Sequence, residues 1–144
     1  MPKLAMRVPY SYLREQFHDL PNYLADIAVV ARSGDFTLGI AVAELEKRFA
    51  ALCGLPYAIG VANGTDALAL SLKALGVGPG DEVITVPNTF IATVGAVVMV
   101  GARPVFVDIG PDYNMDPALL SDVISDRTRA ILPVHLTGNP ADMP

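Results

Sequence analysis

Val83-Ile84-Thr85-Val86-Pro87-Asn88-Thr89-Phe90-Ile91-Ala92-Thr93-Val94-Gly95-Ala96-Val97-Val98-Met99-Val100-Gly101-Ala102-Arg103-Pro104-Val105-Phe106-Val107 changes pattern twice. Val83 to Val86 is a short apolar run of strand type, and Pro87-Asn88-Thr89 turns the chain. Phe90 to about Val100 has the length and composition of an apolar helix, and Gly101 ends it. Pro104 to Val107 is a second apolar run, closing at Asp108. Strand, helix, strand is a βαβ unit, and right-handed crossovers place its strands parallel in one sheet. Strands that are apolar at nearly every position suit a parallel sheet covered on both faces. The stretch from Val83 to Ala102 carries no charge and is long enough on paper to cross a bilayer. Pro87-Asn88-Thr89 and Gly95 divide it, however, so the expectation is a strand, a turn and a helix, with no membrane span.

The same alternation extends outward. Upstream, Tyr57 to Ala62 reads as a short strand, Asn63-Gly64-Thr65 as a turn, and Asp66 to Leu75 as a helix ended by Gly76. Gly78-Pro79-Gly80-Asp81 is a loop. Downstream, Asp116-Pro117 supplies an N-cap followed by proline at the first helical position, opening a helix to about Ser125. Ala130 to Val134 is a further strand. The fold class is therefore α/β: a three-layer α/β/α sandwich on a mostly parallel sheet. Residues 57–144 are expected to form it, and residues 1–56 a helical segment with a loop. In that segment Met1 to Pro21 is mixed and partly extended. Leu24, Ile27 and Ala31 share a helical face before Gly34, and Val42, Leu45, Phe49 and Leu52 recur at helical steps before Gly54. Glu44 and Arg48 are spaced to pair on the outer face.

Composition narrows the classes. Of 144 residues, 52% are hydrophobic and 17% charged, which excludes a disordered chain. The net charge of −5 gives no surplus of Lys and Arg for a nucleic-acid backbone. The lone Cys53 can make no intramolecular disulfide, which fits a reducing compartment, and its place before Gly54 suggests a packed thiol. The N-terminus has no charged region followed by an apolar core, so no signal peptide is expected and the reading is cytoplasmic. Neither a disulfide framework nor a metal-ligand spacing is visible, and His18 and His135 stand far apart.

Ligands of open α/β sheets bind beyond the carboxyl ends of the strands. Three turns are expected there. In Val61-Ala62-Asn63-Gly64-Thr65-Asp66-Ala67-Leu68 a strand runs through a glycine turn into a helix, whose first N–H groups lack intrahelical acceptors. The helix dipole favours an anion at that end, so a phosphate would meet the N–H groups of Thr65 and Asp66 where Gly64 allows close approach. An ordinary capped helix, with Asn63 or Asp66 as the cap, is the alternative. This is neither a P-loop nor a dinucleotide fingerprint. At the second turn Phe90 either stacks on a planar ligand or packs in the core. At the third, His135 is either polar lining or a hydrogen-bonded structural residue, and Asp108 is expected to anchor its loop.

Taken in order, these blocks resemble the N-terminal part of the DegT/StrS-type sugar aminotransferases. These are pyridoxal-phosphate enzymes of the aspartate-aminotransferase fold. The resemblance runs through Ser33-Gly34-Asp35-Phe36-Thr37-Leu38-Gly39, Val61 to Leu68, Leu75 to Ile84 and Thr89-Phe90-Ile91-Ala92-Thr93. It continues through Gly101 to Asp108 and Pro133-Val134-His135-Leu136-Thr137-Gly138-Asn139-Pro140-Ala141-Asp142-Met143. It implies pyridoxal 5'-phosphate (PLP) as cofactor, its phosphate on Gly64, Thr65 and Asp66 and its ring stacked on Phe90. It also implies amino transfer from glutamate to a keto group of a nucleotide-linked sugar, and a homodimer. A dehydratase of the same family, with His in place of the catalytic lysine, and a non-catalytic phosphate- or protein-binding module are the competing expectations. Phe36 would either fold back to cap the core or, as the family's geometry implies, meet the other subunit. Lys3, Lys47 and Lys73 do not match the family's Schiff-base lysine, which would lie beyond Pro144, and the resemblance makes Lys73 a surface residue. The 144-residue chain alone is thus expected to be inactive. Incubating it with PLP, glutamate and an acceptor keto-sugar checks this, and sustained glutamate-dependent amination would overturn it.

Overall fold

The computed structural model describes residues 10–143, and the chain divides into two compact units, Met1–Gly60 and Val61–Pro144. The first is helical: α1 (Leu13–Gln16), α2 (Leu20–Ser33) and α3 (Ile40–Cys53). Of the opening stretch expected to be mixed, residues 1–9 lie outside the described residues. Gly34 and Gly54 end α2 and α3 in the left-handed conformation (φ 71° and 66°), which only glycine adopts without strain. Glu44 and Arg48 pair at 2.7 Å as their spacing predicts. The apolar stripes are helical but not covered. Leu24, Ile27, Leu45, Phe49 and Leu52 are all exposed, and Ala50 is the one residue of α3 that is buried. Cys53 is exposed too, contrary to the packed thiol expected, because none of the described residues of this unit covers that end of α3. Phe36 is 74% exposed, so the reading in which it closes the core does not hold. The loop before α3 is fixed instead by Asp35, whose carboxylate accepts the Ile40 N–H at 2.9 Å.

The second unit carries α4 (Gly64–Ala74), β1 (Glu82–Thr85), α5 (Ile91–Met99), β2 (Arg103–Phe106), α6 (Leu120–Val123) and β3 (Thr128–Ile131). Short 3₁₀ turns stand at Pro117–Leu119 and Leu136–Gly138. All pairing is parallel, in the order β2-β1-β3. From β1 the chain crosses through α5 to β2. From β2 it returns past β1 to β3 through α6, and right-handed crossovers in opposite directions put α5 and α6 on opposite faces. The two apolar clusters agree. Ala69, Leu72, Val83, Ala96 and Val97 join α4 and α5 to one face, while Ile84, Val107, Met115, Leu120 and Val123 join α6 to the other. These are the three layers of the α/β/α sandwich.

The expected strand at Tyr57–Ala62 does not form. A strand needs a ladder, and among the described residues none pairs with this segment. It has no regular structure, with Tyr57 and Ile59 exposed, and is tied to α3 where the Gly60 N–H donates to Glu46 Oε1 at 2.7 Å. The last strand also begins earlier than expected, at Thr128, because its pairing with β1 starts from Glu82.

Glu82, only 2% exposed, begins the central strand. Its Oε1 accepts from Arg103 Nη2 at 2.6 Å and from Arg127 Nη2 at 2.7 Å, and its Oε2 accepts from Ser125 Oγ at 2.8 Å. Arg103 opens β2 and Arg127 directly precedes β3, so one carboxylate clasps both outer strands to the middle one. The Arg103 hydrogen bond, then that of Ser125, holds the Glu82 carboxyl below its ordinary value of 4.5; burial opposes this, and the charges of Arg103 and Arg127 add to it. In the native state the group therefore binds fewer protons than when unfolded. Its stabilisation is complete above pH 4.5 and is lost as pH falls through the lower native value. Glu82→Gln in the full-length protein should lower the thermal unfolding midpoint at pH 7. That deficit should close as the pH is taken below 4.5. Equal midpoints at pH 7 would overturn the role.

Candidate functional site

Because α4 leads into the first residue of β1, its C-terminus lies at the amino edge of the sheet and its N-terminus at the carboxyl edge. α5 follows β1 through the short turn of residues 86–90, so its N-terminus lies at that edge as well. The crossovers from β1 and β2 leave for opposite faces, which opens the crevice typical of α/β ligand sites beyond their carboxyl ends. Two helix N-termini, with Gly64 at one and Phe90 at the other, are thereby brought to one edge, both with dipoles favouring negative charge.

Asn63 caps α4: its Oδ1 accepts the Asp66 N–H at 2.9 Å, and its Nδ2 donates to Asp66 Oδ2 at 3.2 Å. This reciprocal arrangement revises the expected phosphate contacts. The Asp66 N–H is already committed to Asn63, which leaves the N–H groups of Gly64 and Thr65 and the Thr65 hydroxyl as donors without a protein acceptor among the described residues. Tied to Asn63, the Asp66 carboxylate is occupied in holding the cap. A Cβ built on Gly64 meets no atom within 4 Å, and its φ is not in the left-handed region. Neither the fold's packing nor its backbone geometry requires glycine there.

Phe90 is the N-cap residue of α5 and is 75% exposed, so it is not a core residue. Its ring is open to a planar partner. The site is an open edge. A cavity of about 330 Å³ in this unit, lined by Met115, Leu120, Ile131 and Met143 among others, lies with the α6 side of the sheet instead.

His135 is a hydrogen-bonded structural residue: its Nδ1 accepts the Ala141 N–H at 2.9 Å. Asp108 anchors its loop, its Oδ1 accepting the Ile109 N–H at 2.8 Å. Sequence reasoning missed Asn114, which is buried. Its Nδ2 donates to Asp112 Oδ2 and Pro140 O, both at 3.0 Å, and its Oδ1 accepts the Leu136 N–H at 3.4 Å, tying the loop after β2 to the segment after β3. No local pattern marks it, since those segments meet only through the fold. Lys73 lies exposed in the last turn of α4.

Comparison with known proteins identifies the family and the fold. The model of the DegT/DnrJ/EryC1/StrS aminotransferase family matches residues 20–144, and the chain belongs to that family. It is 54% identical over 119 residues to the UDP-2-acetamido-2-deoxy-3-oxo-D-glucuronate aminotransferase of Pseudomonas aeruginosa, covering 82% of this chain and 33% of that protein. Among solved structures, DesV of Streptomyces venezuelae aligns with a TM-score of 0.84 at 44% identity, over 94% of this chain and 37% of DesV. NtdA of Bacillus subtilis, with bound cofactor PMP, aligns with a TM-score of 0.83 at 39% identity, over 85% of this chain and 28% of NtdA. The chain thus spans about a third of the length of the relatives it matches.

Proposed function

We propose that this chain is the cofactor-phosphate portion of a PLP-dependent aminotransferase acting on a nucleotide-linked keto-sugar with glutamate as amino donor. Residues 57–144 belong to the large cofactor-binding domain. The carrying observation is Gly64: a residue that the fold leaves free to bear a side chain, at a helix N-terminus whose first two N–H groups have no acceptor among the described residues. Such a gap is what a phosphate needs in order to reach the N–H groups of Gly64 and Thr65 and the Thr65 hydroxyl. The Asn63–Asp66 cap keeps the first turn in shape for it, and Phe90 supplies a face for the pyridine ring. When bound, PLP supplies the reactive carbonyl and electron sink through which amino groups are exchanged. PMP in NtdA is the amino form of the same cofactor.

The whole protein is taken to be a homodimer in the cytoplasm. The exposed apolar side chains of α2 and α3, with Phe36 between them in sequence, support an interface between copies. Among the described residues no helix is long and apolar enough to cross a membrane.

Gly64→Val in the full-length protein should weaken PLP binding by about 1–3 kcal/mol, since the branched side chain takes the space of the phosphate. The unfolding midpoint of the cofactor-free protein should hardly move, because the added Cβ meets nothing. Absorbance titration with PLP measures the first; unchanged affinity in a folded variant would remove this turn from the site. In sedimentation at micromolar concentration the full-length protein should run as a dimer. A stable monomer that binds PLP normally would rule the interface out.

A further inference from the structure

Thr93 is 7% exposed in the first turn of an otherwise apolar helix, where valine would fill the same volume. A buried hydroxyl is costly unless it is hydrogen-bonded, and the one partner of this hydroxyl among the described residues is Thr89 Oγ1, at 2.8 Å. Thr89 directly precedes Phe90. Phenylalanine has no side-chain oxygen with which to cap a helix, and α5 accordingly has no side-chain cap. The two hydroxyls accept no helix N–H, but they bridge the start of the helix. They join the residue before the cap to the third residue of the helix, while the Thr93 N–H donates to Phe90 O at 3.0 Å. On the other side the Thr89 N–H donates to Pro87 O at 3.1 Å. The Phe90 ring has almost no packing to hold it. The backbone that carries it sets the direction of its Cα–Cβ bond and so the region the ring can reach, and the hydroxyl pair bridges the residues on either side of that backbone.

We propose that Thr93 is a positioning residue that acts through Thr89 to hold the Phe90 backbone where its ring can meet the cofactor ring. This rests on the reading of Phe90 as a cofactor contact. The experiment compares full-length Thr93→Val, Thr93→Ser, Thr89→Ala and Phe90→Ala. The readouts are PLP affinity by absorbance titration, the induced circular dichroism of bound PLP, and the unfolding midpoint of the cofactor-free protein. Thr93→Val should bind PLP about tenfold more weakly, the order of one lost hydrogen bond, and should change the induced dichroism. Thr89→Ala should do the same, and Thr93→Ser should restore both signals. Should Thr93→Val misfold, Thr89→Ala against Thr93→Ser carries the test, since Thr89 is only half-buried and serine at position 93 keeps the hydroxyl. Wild-type affinity and dichroism in Thr93→Val or Thr89→Ala, with both lost in Phe90→Ala, would overturn this proposal alone. Wild-type behaviour in Phe90→Ala would overturn the cofactor reading of Phe90, and this proposal with it.

Discussion

A carboxylate removed from water must be matched by donors, and Glu82 is matched by three. Two belong to guanidinium groups that are themselves largely in solvent, so their own desolvation is small. The arrangement avoids the usual weakness of a buried ion pair, in which both partners lose hydration. It also fixes geometry. Glu82 is opposite Arg103 on one side and Thr128 on the other, and its backbone N–H donates to Arg127 O at 2.9 Å. The starting points of all the paired strands are set together at the amino edge. β1 and β2 then end level, Thr85 opposite Phe106, while a register shift after Glu82 brings the end of β3, Ile131, opposite Ile84. The turn carrying Thr89 and Phe90 follows one of those ends.

At the carboxyl edge the chemistry is of the opposite kind. The amino edge places a negative side chain among cations, whereas the carboxyl edge presents neutral backbone donors with the positive ends of two helices behind them. An anion drawn to that edge meets N–H groups already in place, so ordering them costs little at the moment of binding. The Asn63–Asp66 pair matters for the same reason. The Asp66 carboxylate keeps its charge, but the Asn63 amide holds it to the cap and so fixes the shape of the turn.

How much of this the sequence disclosed depended on the range of the interactions. Helix ends were legible at Gly34 and Gly54 because a left-handed residue is a local requirement. The Asn63 cap, the Asp116 cap and the Glu44–Arg48 pair were legible because their partners lie within one turn. The strand expected at Tyr57–Ala62 failed because strand formation is a property of a pair, and its composition says nothing of a partner. Glu82 was invisible as a clasp, since Arg103 and Ser125 lie 21 and 43 residues away. Asn114 was hidden for the same reason. Phe90 could be placed on a turn, but whether its ring was buried or open depended on how α5 sits against the sheet. Thr93 escaped notice because a threonine in an apolar helix resembles valine until its hydroxyl has a partner.

The exposed apolar surface has a related origin. Helical periodicity records that a face is meant to be covered, not what covers it. The stripes of α2 and α3 and the side chains of Tyr57 and Ile59 meet that description. They are patterned as interior and stand open in a chain that spans about a third of its relatives' length. The residues proposed for the cofactor are open for a different reason. Gly64 and Thr65 offer backbone donors and a hydroxyl, and Phe90 a single ring, at a helix start that the fold leaves uncovered. Contiguous apolar stripes ask for another protein surface. A bare glycine beside two free N–H donors, with one aromatic face at the same sheet edge, matches the proposed small anionic ligand with a flat ring.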